Sequence, residues 1–144
     1  MTVERKTVET VGERAPSIRI ADVMTPMPVT IAVDQPLSRA RELMDRHQVR
    51  HLPVMDAGCL VGIVSQRDLN LLLVSPEIDA DLAPVSRAMT KAPLVVAPEE
   101  TVDVVAERMA LDKVGSAVVV RRGDVVGVFT TIDALEVLVG LTKA

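Results

Sequence analysis

Tryptophan and tyrosine are absent from this 144-residue chain, and phenylalanine occurs once. Without aromatic faces there is nothing on which splayed nucleobases could stack. Basic residues are also in deficit: 16 Lys and Arg against 20 Asp and Glu leave a formal charge of −4, with a pI near 5.2. That balance offers no electrostatic footprint for a phosphate backbone, so nucleic acid is excluded as a partner. The single Cys59 rules out an internal disulfide. The opening "MTVERKTVETVGERAP" lacks the continuous apolar run of a signal peptide, and no later segment approaches the twenty or so apolar residues of a membrane span. These absences point to a reducing, cytoplasmic setting with no membrane.

What the chain does have is hydrophobic residues, 49% of the total, enough for a real core. It also has an internal repeat. Displacing the sequence by 65 positions pairs Met24 with Met89, Thr25 with Thr90, Pro28 with Pro93, Met44 with Met109, Gly58 with Gly123, Gly62 with Gly127 and Asp68 with Asp133, without a gap. Like-for-like pairs such as Ser65 with Thr130 fill the intervals. The polar stretch ahead of the repeat, in which Val3, Val8 and Val11 are scattered among charges, is expected to be a mobile tail over residues 1–17.

Each copy has the pattern of one β-α-β-β-α unit. In the first, "PVTIAV" is β-rich, and "DQPLSRARELMDRHQ" carries Asp34 as a cap candidate, Pro36 in the first turn, and Leu37, Ala40 and Met44 at helical spacing. "HLPVM" and "CLVGIV" are strands joined at Ala57-Gly58, and "QRDLNLLLV" closes the unit as a helix. The second copy repeats this with "PLVVA", the helix "PEETVDVVAERMALDK", the hairpin "SAVVVRRGDVVGVF" and the closing helix "TIDALEVLVGL". The closing helices are apolar nearly all round and need cover on more than one side, which favours a homodimer through these helices.

The most informative repeat is "GIVSQRDL" against "GVFTTIDAL". It lies where the last strand turns into the closing helix. Ser65-x-x-Asp68 and Thr130-x-x-Asp133 are close relatives of the capping box, in which a hydroxyl and a carboxylate satisfy free amides of the first turn. The same physics also suits a ligand: amides and hydroxyl for a phosphate, carboxylate for ribose hydroxyls. Both possibilities stand on the residues alone.

With "VMT" or "AMT" opening each copy, the "HLPVM" or "SAVVV" strand and this ending, the chain resembles a tandem pair of cystathionine-β-synthase (CBS) domains over residues 18–141. The resemblance implies an α/β (α+β) fold of two β-α-β-β-α repeats related by a pseudo-twofold, here repeat 1 at 18–75, a linker at 76–87 and repeat 2 at 88–144. It also implies two clefts that hold an adenosyl compound, AMP, ADP, ATP or S-adenosylmethionine, as a regulatory ligand, with no required cofactor. Carried over by motif, Asp68 and Asp133 take ribose hydroxyls, while Ser65 and Thr130, with Arg67 and Thr131 beside them, contact phosphate. Val29, Thr30, His51, Leu52 and Pro53 in one copy, and Leu94, Val95, Ser116, Ala117 and Val118 in the other, hold the base. Copy two departs from the pattern at Val118 for Pro53 and Ile132 for Arg67, so the two clefts are expected to differ.

Other chemistry finds little support. His47, His51 and Cys59 lack the paired short spacings of a zinc site, and the recurring methionines fit core packing. No nucleophile with a base and no P-loop is present, so neither catalysis nor a metal is expected. Two functions remain open: a ligand-sensing module that signals to an unknown protein partner in trans, or a constitutive dimerisation and interaction module whose clefts stay empty.

Overall fold

Each copy of the duplication builds the middle of one four-stranded sheet and lends an edge strand to the other. The computed structural model describes residues 17–27 and 29–143, so the expected tail lies outside the described residues except for Ser17. In chain order the elements are α1 (Ile20–Val23), β1 (Thr25–Pro26), β2 (Ile31–Ala32), α2 (Leu37–His47), β3 (His51–Asp56), β4 (Cys59–Ser65) and α3 (Gln66–Leu73). A short 3-10 turn at Val85–Arg87 leads into β5 (Thr90–Lys91), β6 (Val95–Val96), α4 (Val102–Asp112), β7 (Ser116–Arg121), β8 (Asp124–Thr130) and α5 (Thr131–Thr142).

One sheet runs β2-β3-β4-β5 and the other β1-β8-β7-β6. The strand β1, which opens copy one, thus edges the sheet of copy two, pairing Pro26 with Gly127, and β5 edges the sheet of copy one, pairing Lys91 with Gly62. The segments ahead of these strands follow them. Ile20 is buried in the core formed by Val96, Val105, Met109, Ala117, Val119 and Phe129, whereas Ala83 and Val85 are buried in the core of copy one with Leu37, Leu43, Leu52 and Val64. Two residues of the expected 76–87 linker, Ala83 and Val85, are therefore core. A third cluster, Met27, Ile63, Val118 and Val128, joins the two halves.

The exchange explains both the motif glycine and the repeated methionine. A Cβ on Gly62 would lie 2.8 Å from both the Met89 sulfur and the Thr90 carbonyl oxygen, and one on Gly127 2.6 Å from the Met24 sulfur and 2.9 Å from the Thr25 carbonyl oxygen. Only glycine lets the borrowed edge strand approach this closely.

Local signals account for the rest. Ala57-Gly58 and Arg122-Gly123 carry φ values of 48°, 82°, 50° and 84°, the paired left-handed conformation of a two-residue hairpin turn. α2 buries Leu37, Ala40, Leu43 and Met44 along one face. It begins at Leu37, two residues later than a cap at Asp34 implies, and Pro36 stands at the cap with no side-chain bond. The first free amides need none: Leu37 and Ser38 donate to the carbonyls of Ala83 and Ala80, each at 2.9 Å. α4 likewise begins at Val102, whose amide donates to Ile18 at 2.8 Å, rather than at Pro98.

Candidate functional site

The closing helices start as the sequence pattern suggests. Ser65 and Thr130 each cap their helix: the Asp68 amide donates to Ser65 Oγ at 3.0 Å and the Ser65 amide to Asp68 Oδ2 at 3.0 Å, while Asp133 and Thr130 exchange the same bonds at 3.2 and 2.9 Å. Both boxes are complete. The two aspartates nevertheless differ. Asp133 is 7% exposed, and its carboxylate also accepts from Thr25 Oγ1, at 3.0 Å on Oδ1 and 3.2 Å on Oδ2. Asp68 is half-buried, and among the described residues its Oδ1 has no partner.

Asp68 lines a cleft of about 960 Å³, near the upper end of the roughly 300–1,000 Å³ typical of small-molecule sites. Ser65, Gln66, Arg67, Asn70, Leu71 and Val74 form one wall, from the start and outer face of α3, together with Arg50, His51 and Ile63. The other wall comes from copy two: Thr90, Ala92, Pro93 and Leu94 on one stretch, Lys113, Val114, Gly115 and Ser116 on another, and Ile132. The exchange of β5 carries Thr90–Leu94 to the edge of the copy-one sheet, which is why the facing wall belongs to the other repeat.

The charge in this cleft is uneven. Arg50, Arg67 and Lys113 face it without a carboxylate within 4 Å among the described residues, and Asp68 supplies the negative group. His51 is held below its ordinary value, chiefly because burial disfavours the imidazolium and also because Arg50 repels it; these outweigh the attraction of Asp68 and Asp133. The imidazole is therefore neutral at pH 7. Leu71, Val74 and Ile132 are 65%, 79% and 58% exposed, so apolar side chains share the open side of the cleft with the exposed Arg50, Arg67 and Lys113, while Ile63 is buried.

Of the residues singled out in the sequence, the cleft unites Ser65, Arg67, Asp68, His51, Leu94 and Ser116. The others fall elsewhere. Leu52, Ala117 and Val118 have no exposed surface and belong to the hydrophobic clusters; Pro53 is buried as well. Val29 packs against the core of copy one, while Thr30 and Val95 are exposed outside the cleft. Thr130 and Asp133 are engaged in the second cap, and Thr131 lines a separate hollow of about 260 Å³ with Met109 and Ala134. Of the base-holding residues grouped with Asp68 by repeat, His51 alone lines its cleft, while Leu94 and Ser116 of the other copy line it too, because the leading stretches are exchanged. Arg50, Thr90 and Lys113 line the cleft without having been singled out. Lys113 had a signal: it and its repeat equivalent Gln48 both end a helix in the left-handed conformation, and only one of the two is a cation.

The possible metal ligands stay apart. His47 and Cys59 are exposed on separate elements, and among the described residues no three His, Cys, Asp or Glu side chains gather into a metal-holding group. No helix among the described residues is long and apolar enough to cross a membrane.

The CBS domain profile matches residues 20–75 and 85–140. The chain belongs to the CBS domain family. Its relatives include the CBS domain-containing protein YhcV of Bacillus subtilis, 27% identical over 109 residues that make up 76% of this chain and 77% of YhcV. An inosine-5'-monophosphate dehydrogenase of Korarchaeum cryptofilum is 34% identical over 122 residues, 84% of this chain but 23% of the enzyme, so the chain spans under a quarter of that relative. Among solved structures, an acetoin utilization protein (AcuB) from Vibrio cholerae is 33% identical with a TM-score of 0.70, covering 88% of this chain and 93% of that one. The CBS domain pair of protein MJ0100, solved with 5'-methylthioadenosine and S-adenosyl-L-methionine, is 25% identical with a TM-score of 0.75 over 88% of this chain and all of that pair, 100%. Two CBS repeats and a mixed α/β fold are thereby established.

Proposed function

We propose that this CBS pair is a non-catalytic regulatory module that takes an adenosyl compound bearing phosphates into the Asp68 cleft. The observation that carries this is the partly satisfied Asp68 carboxylate standing in one cleft with Arg50, Arg67 and Lys113. A ribose presents two vicinal hydroxyls that can donate to the free Asp68 oxygen. Phosphates gain charge-assisted bonds from the three cations, and the exposed amide end of α3 with Ser65 adds to the same field. The apolar side chains of Leu71, Val74, Leu94 and Ile132 suit a purine ring in a chain with almost no aromatics. The bound adenosyl ligands of the MJ0100 pair support the same class of ligand here.

The charge favours a nucleotide over S-adenosylmethionine, which carries a sulfonium and has no phosphate to satisfy three cations. Binding across both walls draws α3 and the 90–94 stretch together, and a partner protein responds to that geometry. The response requires unequal affinity for the open and closed arrangements. A second copy of the chain covers the exposed apolar face of α5, and the exposed thiol of Cys59 suits the reducing cytoplasm.

Thermal unfolding with ATP, ADP, AMP and S-adenosylmethionine tests the proposal. Ligand at a hundred times its dissociation constant adds about 2.7 kcal/mol, visible as a rise in midpoint. The rise should be largest for a nucleotide and vanish in Asp68→Ala. A larger rise with S-adenosylmethionine would overturn the charge argument. No rise with any compound would favour the constitutive assembly module, since both capping boxes are complete without a ligand.

A further inference from the structure

The duplication should give two equivalent clefts, yet the chain treats the two positions differently. At the open cleft, Ala92 adopts a left-handed φ of 50° and is exposed, leaving space between Thr90 and Leu94. Its repeat equivalent, Met27, keeps an ordinary backbone, donates its amide to the Val126 carbonyl at 3.3 Å and is only 8% exposed. Its side chain belongs to the cluster of Ile63, Val118 and Val128 between the halves. Val128 is the repeat equivalent of Ile63, which lines the open cleft. Beside it, Thr25 donates to Asp133, whereas no bond joins the equivalent Thr90 to Asp68 among the described residues.

We propose that Met27 and the Thr25–Asp133 bond form a built-in plug at the second position, so that the chain binds one nucleotide, at Asp68 alone. This rests on the proposed ligand function. The chemical logic is substitution: a methionine occupies the volume that the small Ala92 leaves free at its own cleft, and a hydroxyl from the exchanged strand supplies Asp133 with the hydrogen bond that a ribose would otherwise donate. The second motif keeps its capping box and loses its vacancy.

Isothermal titration of the full chain with ATP should give one site per chain, and Met27→Ala should add a second, weaker one, because Ile132 and Gln48 stand there in place of Arg67 and Lys113. The double variant Met27→Ala, Asp68→Ala should retain a single site, now at Asp133. Two sites in the unaltered chain, or a well-folded Met27→Ala with one, would overturn the plug. A ligand-independent measurement separates this from the ligand proposal and from any folding defect of Met27→Ala. In a Cys59→Ser background, a thiol introduced by Ala92→Cys should react with a thiol reagent at least about tenfold faster than one introduced by Met27→Cys. If ATP binds nowhere, the ligand function fails while the labelling still decides the plug. Equal labelling rates would mean that position 27 is open and the plug does not exist.

Discussion

Replacing Gly127 by alanine tests the strand exchange at the point where it is tightest. The added Cβ meets two atoms: the Met24 sulfur at 2.6 Å and the Thr25 carbonyl oxygen at 2.9 Å. Both distances are below normal van der Waals contact. The sulfur ends a flexible side chain and can swing away; the carbonyl belongs to β1, which holds the sheet edge through only two paired residues, Thr25 with Val128 and Pro26 with Gly127. Relief therefore requires β1 to shift. Overpacking of this kind typically costs about 1–3 kcal/mol, against which the stiffer unfolded chain returns about 0.4–1 kcal/mol. The expected net loss is about 1–2 kcal/mol, a drop of several degrees in midpoint for a chain of this length. Gly62→Ala should behave alike, since its Cβ meets the Thr90 carbonyl at 2.8 Å, and it should also weaken nucleotide binding because Thr90 lines the cleft. Gly140→Ala is the internal control: nothing lies within 4 Å of its added Cβ in α5, so it should stabilise by about 0.5–1 kcal/mol. Adding Met24→Ala to Gly127→Ala should recover little, because the carbonyl clash remains. A Gly127→Ala protein that melts at or above the unaltered chain, in calorimetry or circular dichroism, would refute the close approach of the exchanged strand.

Three further outcomes follow from the two halves of the molecule being unequal. Asp133→Ala should destabilise by about 2–4 kcal/mol in urea unfolding, since it strands the Thr25 hydroxyl and the Thr130 amide, whereas Asp68→Ala should cost about 1 kcal/mol, the ordinary worth of a cap; equal losses would contradict the asymmetry. His51 has a folded value below that of the unfolded chain, so the folded state binds fewer protons in that window. Its contribution is complete above about pH 6.5 and is lost as pH falls through the lowered folded value, so His51→Gln should flatten the dependence of midpoint on pH between about 7 and 5; an unchanged slope would remove the desolvation argument. Finally, Leu135, Leu138 and Leu141, 49%, 54% and 49% exposed along α5, should hold a dimer in sedimentation velocity that Leu138→Lys converts to monomer; a monomeric unaltered chain would refute that face as an interface.

Much of this was legible in the sequence. The gapless 65-residue repeat gave the two units, the Ala57-Gly58 and Arg122-Gly123 dipeptides gave the hairpins, and Ser/Thr-x-x-Asp gave both capping boxes, because each of these is a short-range signal. The exchange of β1 and β5 was not legible. A two-residue strand has no periodicity, and its partner is chosen by contacts about a hundred residues away for β1 and nearly thirty for β5. Assigning base contacts repeat by repeat therefore grouped Val29 and Thr30 with Asp68, when the exchange puts Leu94 there. The clue lay in the motif glycines. Gly62 and Gly127 sit inside strands and have no positive φ, so conformational freedom does not explain them; a glycine needed there means another backbone passes close by. The repeated Met-Thr at 24–25 and 89–90 is the segment that passes, and each copy has to supply the segment that the glycine of the other accommodates. Once that reciprocity is fixed, the two halves can diverge where the exchanged strands end. Positions 27 and 92, just beyond the exchanged edges, are such a place, and there methionine and alanine separate a filled position from an open cleft.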